Sequence, residues 1–146
     1  MTGPVVQRDW AEVRCSLCIF SPSTSPKALT ELVGITPTYS RRKGEPRNPG
    51  APGSTVVTNI WVWKAPEDIE AQMNSQLDAI WRAHSTKAKA FRELPPDASV
   101  TLSIEIYHHT DLSLGWSLDK RHVAMMAAFN ASMDIDEYDY TDLEAE

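Results

Sequence analysis

Two cysteines in a chain of 146 residues are too few to staple a fold of this size, so a disulfide framework is excluded. Long apolar runs are also missing. The longest, such as Ala124 to Phe129, fall far short of the roughly 20 residues that a bilayer-spanning helix needs. There is no basic excess, since 14 Lys and Arg stand against 20 Asp and Glu for a formal charge of −6, which disfavours a general nucleic-acid partner. Residues 1–10 hold no basic stretch followed by an apolar core, so no secretory signal is expected and a cytoplasmic location is read. Gly44, Gly50 and Gly53 lack the spacing and the following helix of a phosphate loop, and no G-x-S-x-G elbow occurs. What is present is a globular composition, 42% hydrophobic and 23% charged, at a length that suits one domain of about 100–150 residues.

The pattern of apolar residues orders the chain. After a loose leader at 1–10, Val13, Cys15, Leu17 and Ile19 alternate with Arg14, Ser16 and Cys18, the period of two of a half-buried strand. Ser25 and Pro26 supply an N-cap and a first-turn proline for a helix with Leu29, Leu32 and Val33 on its apolar face, and Gly34 suits its left-handed end. Thr38 to Lys43 has the character of an edge strand. Gly44 to Ser54 is so rich in Pro and Gly that neither ladder nor helix is expected, and 46–54 is read as a mobile loop. Val56 to Lys64 is a strand with apolar groups on both faces.

A long helix is expected from Pro66-Glu-Asp to Leu94-Pro95-Pro96, with Ile69, Met73, Leu77, Ile80, Trp81, His84, Ala88 and Phe91 along one stripe. Val100, Leu102, Ile104 and Ile106 mark another strand. Ser117 or Asp119 caps a third helix with Val123, Met126, Ala127 and Asn130 on one side, and Met133 to Tyr138 returns as a short strand. An acidic tail at 141–146 completes the chain. The order predicts one α+β domain over 11–140, an antiparallel sheet with helices packed on one face. Its ferredoxin-like βαββαβ core is followed by a C-terminal helix and short strand.

Leu32-Val-Gly-Ile-Thr-Pro-Thr38, Arg42-Lys-Gly-Glu45, the strand at Trp61 to Trp63, the long helix, and Leu118 to Tyr138 ending in Asp134-Ile-Asp-Glu-Tyr138 occur here in a particular order. In that order and spacing the chain resembles the bacterial domain-of-unknown-function family four-two-seven-nine, over roughly residues 12–140. Val33 stretches the family's usual Leu-Gly-Ile, and the Pro/Gly insertion at 46–53 leaves either Trp61 or Trp63 as its tryptophan. The resemblance implies a small single domain of bacterial origin and assigns no catalytic residue and no cofactor.

Several groups carry potential chemistry. Cys15-Ser-Leu-Cys18 is a C-x-x-C inside a strand, where residues three apart face opposite sides; buried thiols are the favoured reading over a redox or zinc pair. Of His108, His109 and Asp111, only the last two share a face. His84 lies on the apolar stripe, and His122 has no partner nearby in sequence. The sharpest local signal is basic: Arg41, Arg42, Lys43 and Arg47 against Glu45 leave +3 in seven residues. With Trp61 or Trp63 as a stacking face, they would bind an anionic small molecule or nucleotide; alternatively they are a solvated edge charged against aggregation. From Asp134 to Glu146 there are seven acids and no base, among them Asp134, Asp136, Glu137 and Asp139, with Tyr138 and Tyr140 interleaved. These form either a surface for a protein partner or a solubilising terminus.

Two functions of different class therefore stand. The first is a non-catalytic protein-interaction module of immunity or antitoxin-like character, using the acidic C-terminal surface toward another protein or a second copy of itself. The second is a binding domain for a small anion at 41–47. No set of acid, base and nucleophile converges by spacing, so an enzyme ranks last, and no metal, cofactor or membrane is implied.

Overall fold

The alternating series at Val13, Cys15, Leu17 and Ile19 becomes β1 (Ala11–Ser21), the central strand of a five-stranded sheet. The computed structural model describes residues 11–48, 53–109 and 116–139. The expected leader at 1–10, the tail at 141–146 and the middle of the 46–54 loop lie outside the described residues. Along the chain β1 is followed by α1 (Pro26–Val33), β2 (Tyr39–Arg41), β3 (Asn59–Lys64), α2 (Met73–His84), a 3₁₀ turn at Ser85–Lys87, α3 (Ala88–Arg92), β4 (Ser99–His108), α4 (Lys120–Phe129) and β5 (Ala131–Asp139).

The local signals account for the element ends. The Ser25 side chain accepts from Ala28 N at 3.2 Å, and Gly34 closes α1 at φ 70°. Asp119, of the two candidates, caps α4 by accepting from Arg121 N. Asn130 ends α4 at φ 54°, in the left-handed conformation that asparagine tolerates better than most residues.

The sheet runs β2-β3-β1-β4-β5. β1 pairs antiparallel with β3 and β4, and β2 pairs antiparallel with β3. β5, however, pairs parallel with β4, from Val100 beside Ala131 to His108 beside Asp139. The sheet is therefore mixed, which corrects the expectation of a purely antiparallel one. The cause is α4, a helical crossover that carries the chain back to the end where β4 began, so that the next strand starts in the same direction.

The layers separate the faces. Leu17, Ile19, Trp61, Leu102, Ile104 and Ile106 point to the helical side and join Leu29, Leu77, Ile80, Phe91, Met125 and Phe129 in one core. Fully burying an aliphatic side chain of this kind contributes about 1.5–3 kcal/mol. Phe91 lies edge-on between Trp61 and Phe129, with ring centres 6.0 and 5.1 Å away. The opposite face of the sheet carries no helix among the described residues.

Three expectations are corrected in detail. The long helix does not open at Pro66; residues 66–72 run as extended and turn segments, and helix begins only at Met73. The last helix buries His122, Met125 and Phe129, not the side that carries Val123, which is 53% exposed. The unbroken apolar run from Val123 to Phe129 hid that stripe, whose first member, His122, is a histidine just before it. Finally, the arms of the Pro/Gly loop do pair. Gly44 N donates to Val56 O, Val56 N to Glu45 O and Arg47 N to Ser54 O, all within 3.0 Å. The intervening residues that are not proline supply the donors.

The late start of α2 has a purpose. β3 ends beside Ser16, so the first half of β1 lacks a neighbour on that side. The segment after β3 takes the place: Val13 N donates to Ala71 O at 2.8 Å and Ala65 N to Cys15 O at 3.0 Å. Gln76 completes it. Its side chain is fully buried, with Oε1 accepting from Cys15 N at 3.1 Å and Nε2 donating to Glu70 O at 3.0 Å. Replacing Gln76 by Leu strands a buried N–H and a carbonyl, and each such group costs about 1–3 kcal/mol. Urea unfolding of Gln76→Leu is expected to show a loss of about 2–3 kcal/mol with an unchanged m-value.

Candidate functional site

The face of the sheet that carries no helix among the described residues, here the open face, gathers several of the charged candidates. Strand alternation sends Arg41, Lys64, Arg14, Glu105, Asp134 and Asp136 to that face, and the register fixes their order across it. Bases occupy β2, β3 and β1, where Glu12 accompanies Arg14, and acids occupy β4 and β5. Arg14 Nη2 reaches Glu12 Oε1 at 3.1 Å, and the Tyr107 hydroxyl donates to Glu105. Tyr107 and Tyr138 stack on neighbouring strands with ring centres 5.1 Å apart. A cleft of about 330 Å³ opens among Arg14, Ser16, Lys64, Glu67, Glu105 and Tyr107, with both signs of charge in its walls.

The structure divides the basic candidates. Arg41 and Arg47 meet at a recess of about 470 Å³ floored by Phe20, Val56 and Ile60, and Arg41 Nη1 donates to Arg47 O at 3.4 Å. Arg42 pairs with Glu45 at 3.6 Å, while Lys43 is exposed. The tryptophans are not part of the recess. Trp61 is fully buried on the helical face, with its indole N–H donating to Thr30 Oγ1 at 3.1 Å. Trp63 lies on that same face, edge-on to His84 at 4.2 Å between ring centres. Neither offers a stacking surface beside Arg41. The physical reason is strand parity: residues 60 and 62 take the open face, so 61 and 63 take the core.

The acidic candidates divide in the same way. Asp134, Asp136 and Tyr138 lie on the open face, whereas Glu137 and Asp139 alternate to the helical side. His108 Nε2 approaches Glu137 there at 3.8 Å. Tyr140 and Asp111 lie outside the described residues. The two cysteines sit on opposite faces of β1, as strand spacing requires, and are free. Burial, assisted by the nearby Glu105 carboxylate, pushes both thiols up to about 12, so neither is a thiolate at neutral pH. Among the described residues, no three His, Cys, Asp or Glu are grouped to hold a metal ion, and no helix is long and apolar enough to cross a membrane.

One constellation was invisible in the sequence. Asp78 on α2 receives His122 Nε2 at 2.7 Å and Arg121 Nε and Nη2 at 3.2 and 3.0 Å, both from α4. Arg121 Nη1 also meets Asp119 at 2.7 Å. The hydrogen bonds from Arg121 and then His122 hold the Asp78 carboxyl below its usual range. A separation of 44 residues between Asp78 and His122 leaves no local trace. His122 and His84 are both buried, and each keeps one ring nitrogen without a hydrogen-bond partner among the described residues; burial lowers the pKa of His84.

The arrangement ties α2 to α4. Asp78→Ala leaves the buried His122 Nε2 without its acceptor, an omission that costs about 1–3 kcal/mol, whereas Arg121→Gln removes an exposed pair of small worth. Thermal unfolding is expected to rank the two in that order. Because the Asp78 pKa is depressed in the folded chain, its contribution is complete above about pH 4 and is lost as pH falls through the lowered value. Asp78→Asn is expected to flatten that acid limb.

No curated protein and no solved structure matches the chain significantly. The sequence features that carried the resemblance nevertheless fall on one continuous fold. The Leu-Val-Gly-Ile corner is the end of α1, the Trp strand is β3, and Asp134 to Tyr138 lies in the parallel edge strand. The sheet and helices that these features build coincide with residues 11–140, over which the chain matches, and to which it belongs, the family described as Domain of unknown function (DUF4279).

Proposed function

We propose that the chain is a non-catalytic protein-interaction module, and that its contact surface is the acidic half of the open sheet face. The observation that carries this reading is the placement of Glu105, Asp134 and Asp136 side by side on β4 and β5, with β5 as an edge strand. An acidic field on an edge attracts a basic partner surface and fixes its register. Tyr138, 41% exposed in the same row, offers an aromatic anchor of the kind that interfaces bury. The elsewhere prominent Asp78, Arg121 and His122 set is closed upon itself, which supports a structural role for it. We also infer that β1 to β4 with α1 and α2 form a ferredoxin-like core, to which α4 and β5 are an addition. The support is the antiparallel order β2-β3-β1-β4 within the longer sheet.

A photo-crosslinking residue placed at 136 is expected to capture a discrete protein in the host cell, and one at 123, on the outer side of α4, is not. Neutralising the field with Asp134→Asn and Asp136→Asn is expected to lower capture severalfold when the probe sits at 132. Equal capture from both faces would remove the reading.

A second reading, a small organic anion held at the basic segment, draws support from the Arg41 and Arg47 recess and its apolar floor. A ligand at 100 times its Kd would stabilise the fold by about 2.7 kcal/mol. A thermal-shift panel of nucleotides and aryl carboxylates is expected to contain such a stabiliser, and Arg41→Ala to abolish its effect. A shift that survives Arg41→Ala places the ligand elsewhere.

A further inference from the structure

We infer that the partner of the open sheet face is a second copy of this chain, packed face to face about a two-fold axis that runs parallel to the strands between β1 and β4. This inference rests on the reading of that face as an interaction surface and names its partner. The strand register carries it. Lys64 on β3 is level with Ser16 on β1, Ser103 on β4 and Asp134 on β5. One step along, Arg14 on β1 is level with Glu105 on β4 and Asp136 on β5.

A two-fold axis between β1 and β4 exchanges β1 of one copy with β4 of the other, and β3 with β5. It preserves level along the strands. Lys64 of one copy therefore faces Asp134 of the other, and Arg14 faces Glu105, and each pair occurs twice because an isologous interface repeats every contact. Aligned sheets pack with their strands within about 30° of each other and about 10 Å apart. The middle of this face suits that approach. Ser16, Ser103, Cys18 and Thr101 are short side chains straddling the axis. Cys18 and Thr101 are already buried within one chain, at 5% and 7% exposed, so the contact is carried by the taller charged side chains around them, with Phe20 and Ile60 as apolar area at one end.

The division of charge argues for a second copy over other occupants. A uniformly basic partner would be attracted by β4 and β5 and repelled by Arg14 and Lys64, and a uniformly acidic one the reverse. Apart from Glu12, which stays with Arg14 on β1, bases lie on one side of a line and acids at the same levels on the other, and such a surface is complementary to itself. Lys64 is exposed, its ammonium 5.3 Å above the Tyr39 ring, and Asp134 is exposed, so both are available without unfolding anything.

The test is the mass of the full chain by sedimentation equilibrium from about 1 to 100 µM. A two-chain species that weakens as salt rises is expected. Lys64→Glu and Asp134→Lys should each weaken association at least tenfold, with thermal unfolding showing that both variants fold. The double variant, Lys64→Glu with Asp134→Lys, restores the facing pairs with signs reversed and should recover the dimer. A single-chain mass at every concentration overturns the inference, and so does a dimer indifferent to the single reversals. In either case, a different protein captured from position 136 keeps the interaction reading, and no capture removes that as well.

Discussion

The Gln76 amide is the contact on which the placement of the two layers depends. β1 is the middle of the sheet, yet β3 covers only its later half, and a central strand cannot leave backbone groups bare inside a core. The chain answers by running 65–72 alongside β1 and by sending one buried side chain back across the gap. That side chain belongs to α2, so the bond that completes the sheet also seats the helix. Once α2 is fixed, Leu77 and Ile80 reach the core, Asp78 is turned toward α4, and all the helices end on one side.

Every described helix packs on one face of the sheet, which leaves the other without a helix among the described residues. The two charged segments then acquire a spatial meaning that total charge conceals. The basic segment adjoins β2, one edge of the sheet, and the acidic residues line β5, the other edge. The formal charge of −6 thus conceals a sheet face that is graded from one border to the other. The gradient has its neutral line near β1 and β4, where short polar side chains lie.

Much of this order was legible because it is local. Ser25, Pro26 and Gly34 mark α1 by chemistry that acts within one turn, and the alternation in β1 and β4 needs no distant partner. The thiols at 15 and 18 were separable by parity alone. What escaped was relational. Both faces of 56–64 are apolar, so alternation paired Trp61 with Trp63 without saying which face the helices would cover. The direction of β5 depends on where α4 returns the chain, which period-two patterning does not encode. Proline at 66 with two acids behind it has every mark of a helix start, but the unpaired backbone of β1 claimed those residues first. Asp78 and His122 each have an unremarkable neighbourhood in the sequence and become partners only when α2 and α4 pack.

The positions of the two cysteines have a kinetic corollary. Cys15 and Cys18 share a strand and a depressed reactivity, but they are sealed from opposite directions. Cys15 is sealed by the helical layer, whereas Cys18, on the face without a helix among the described residues, is sealed to 5% exposure by the side chains around it. Modification of the first therefore clocks separation of helices from sheet, and modification of the second clocks parting of the side chains that cover the other face. The native chain carries, three residues apart, two separate timers for its two modes of exposure.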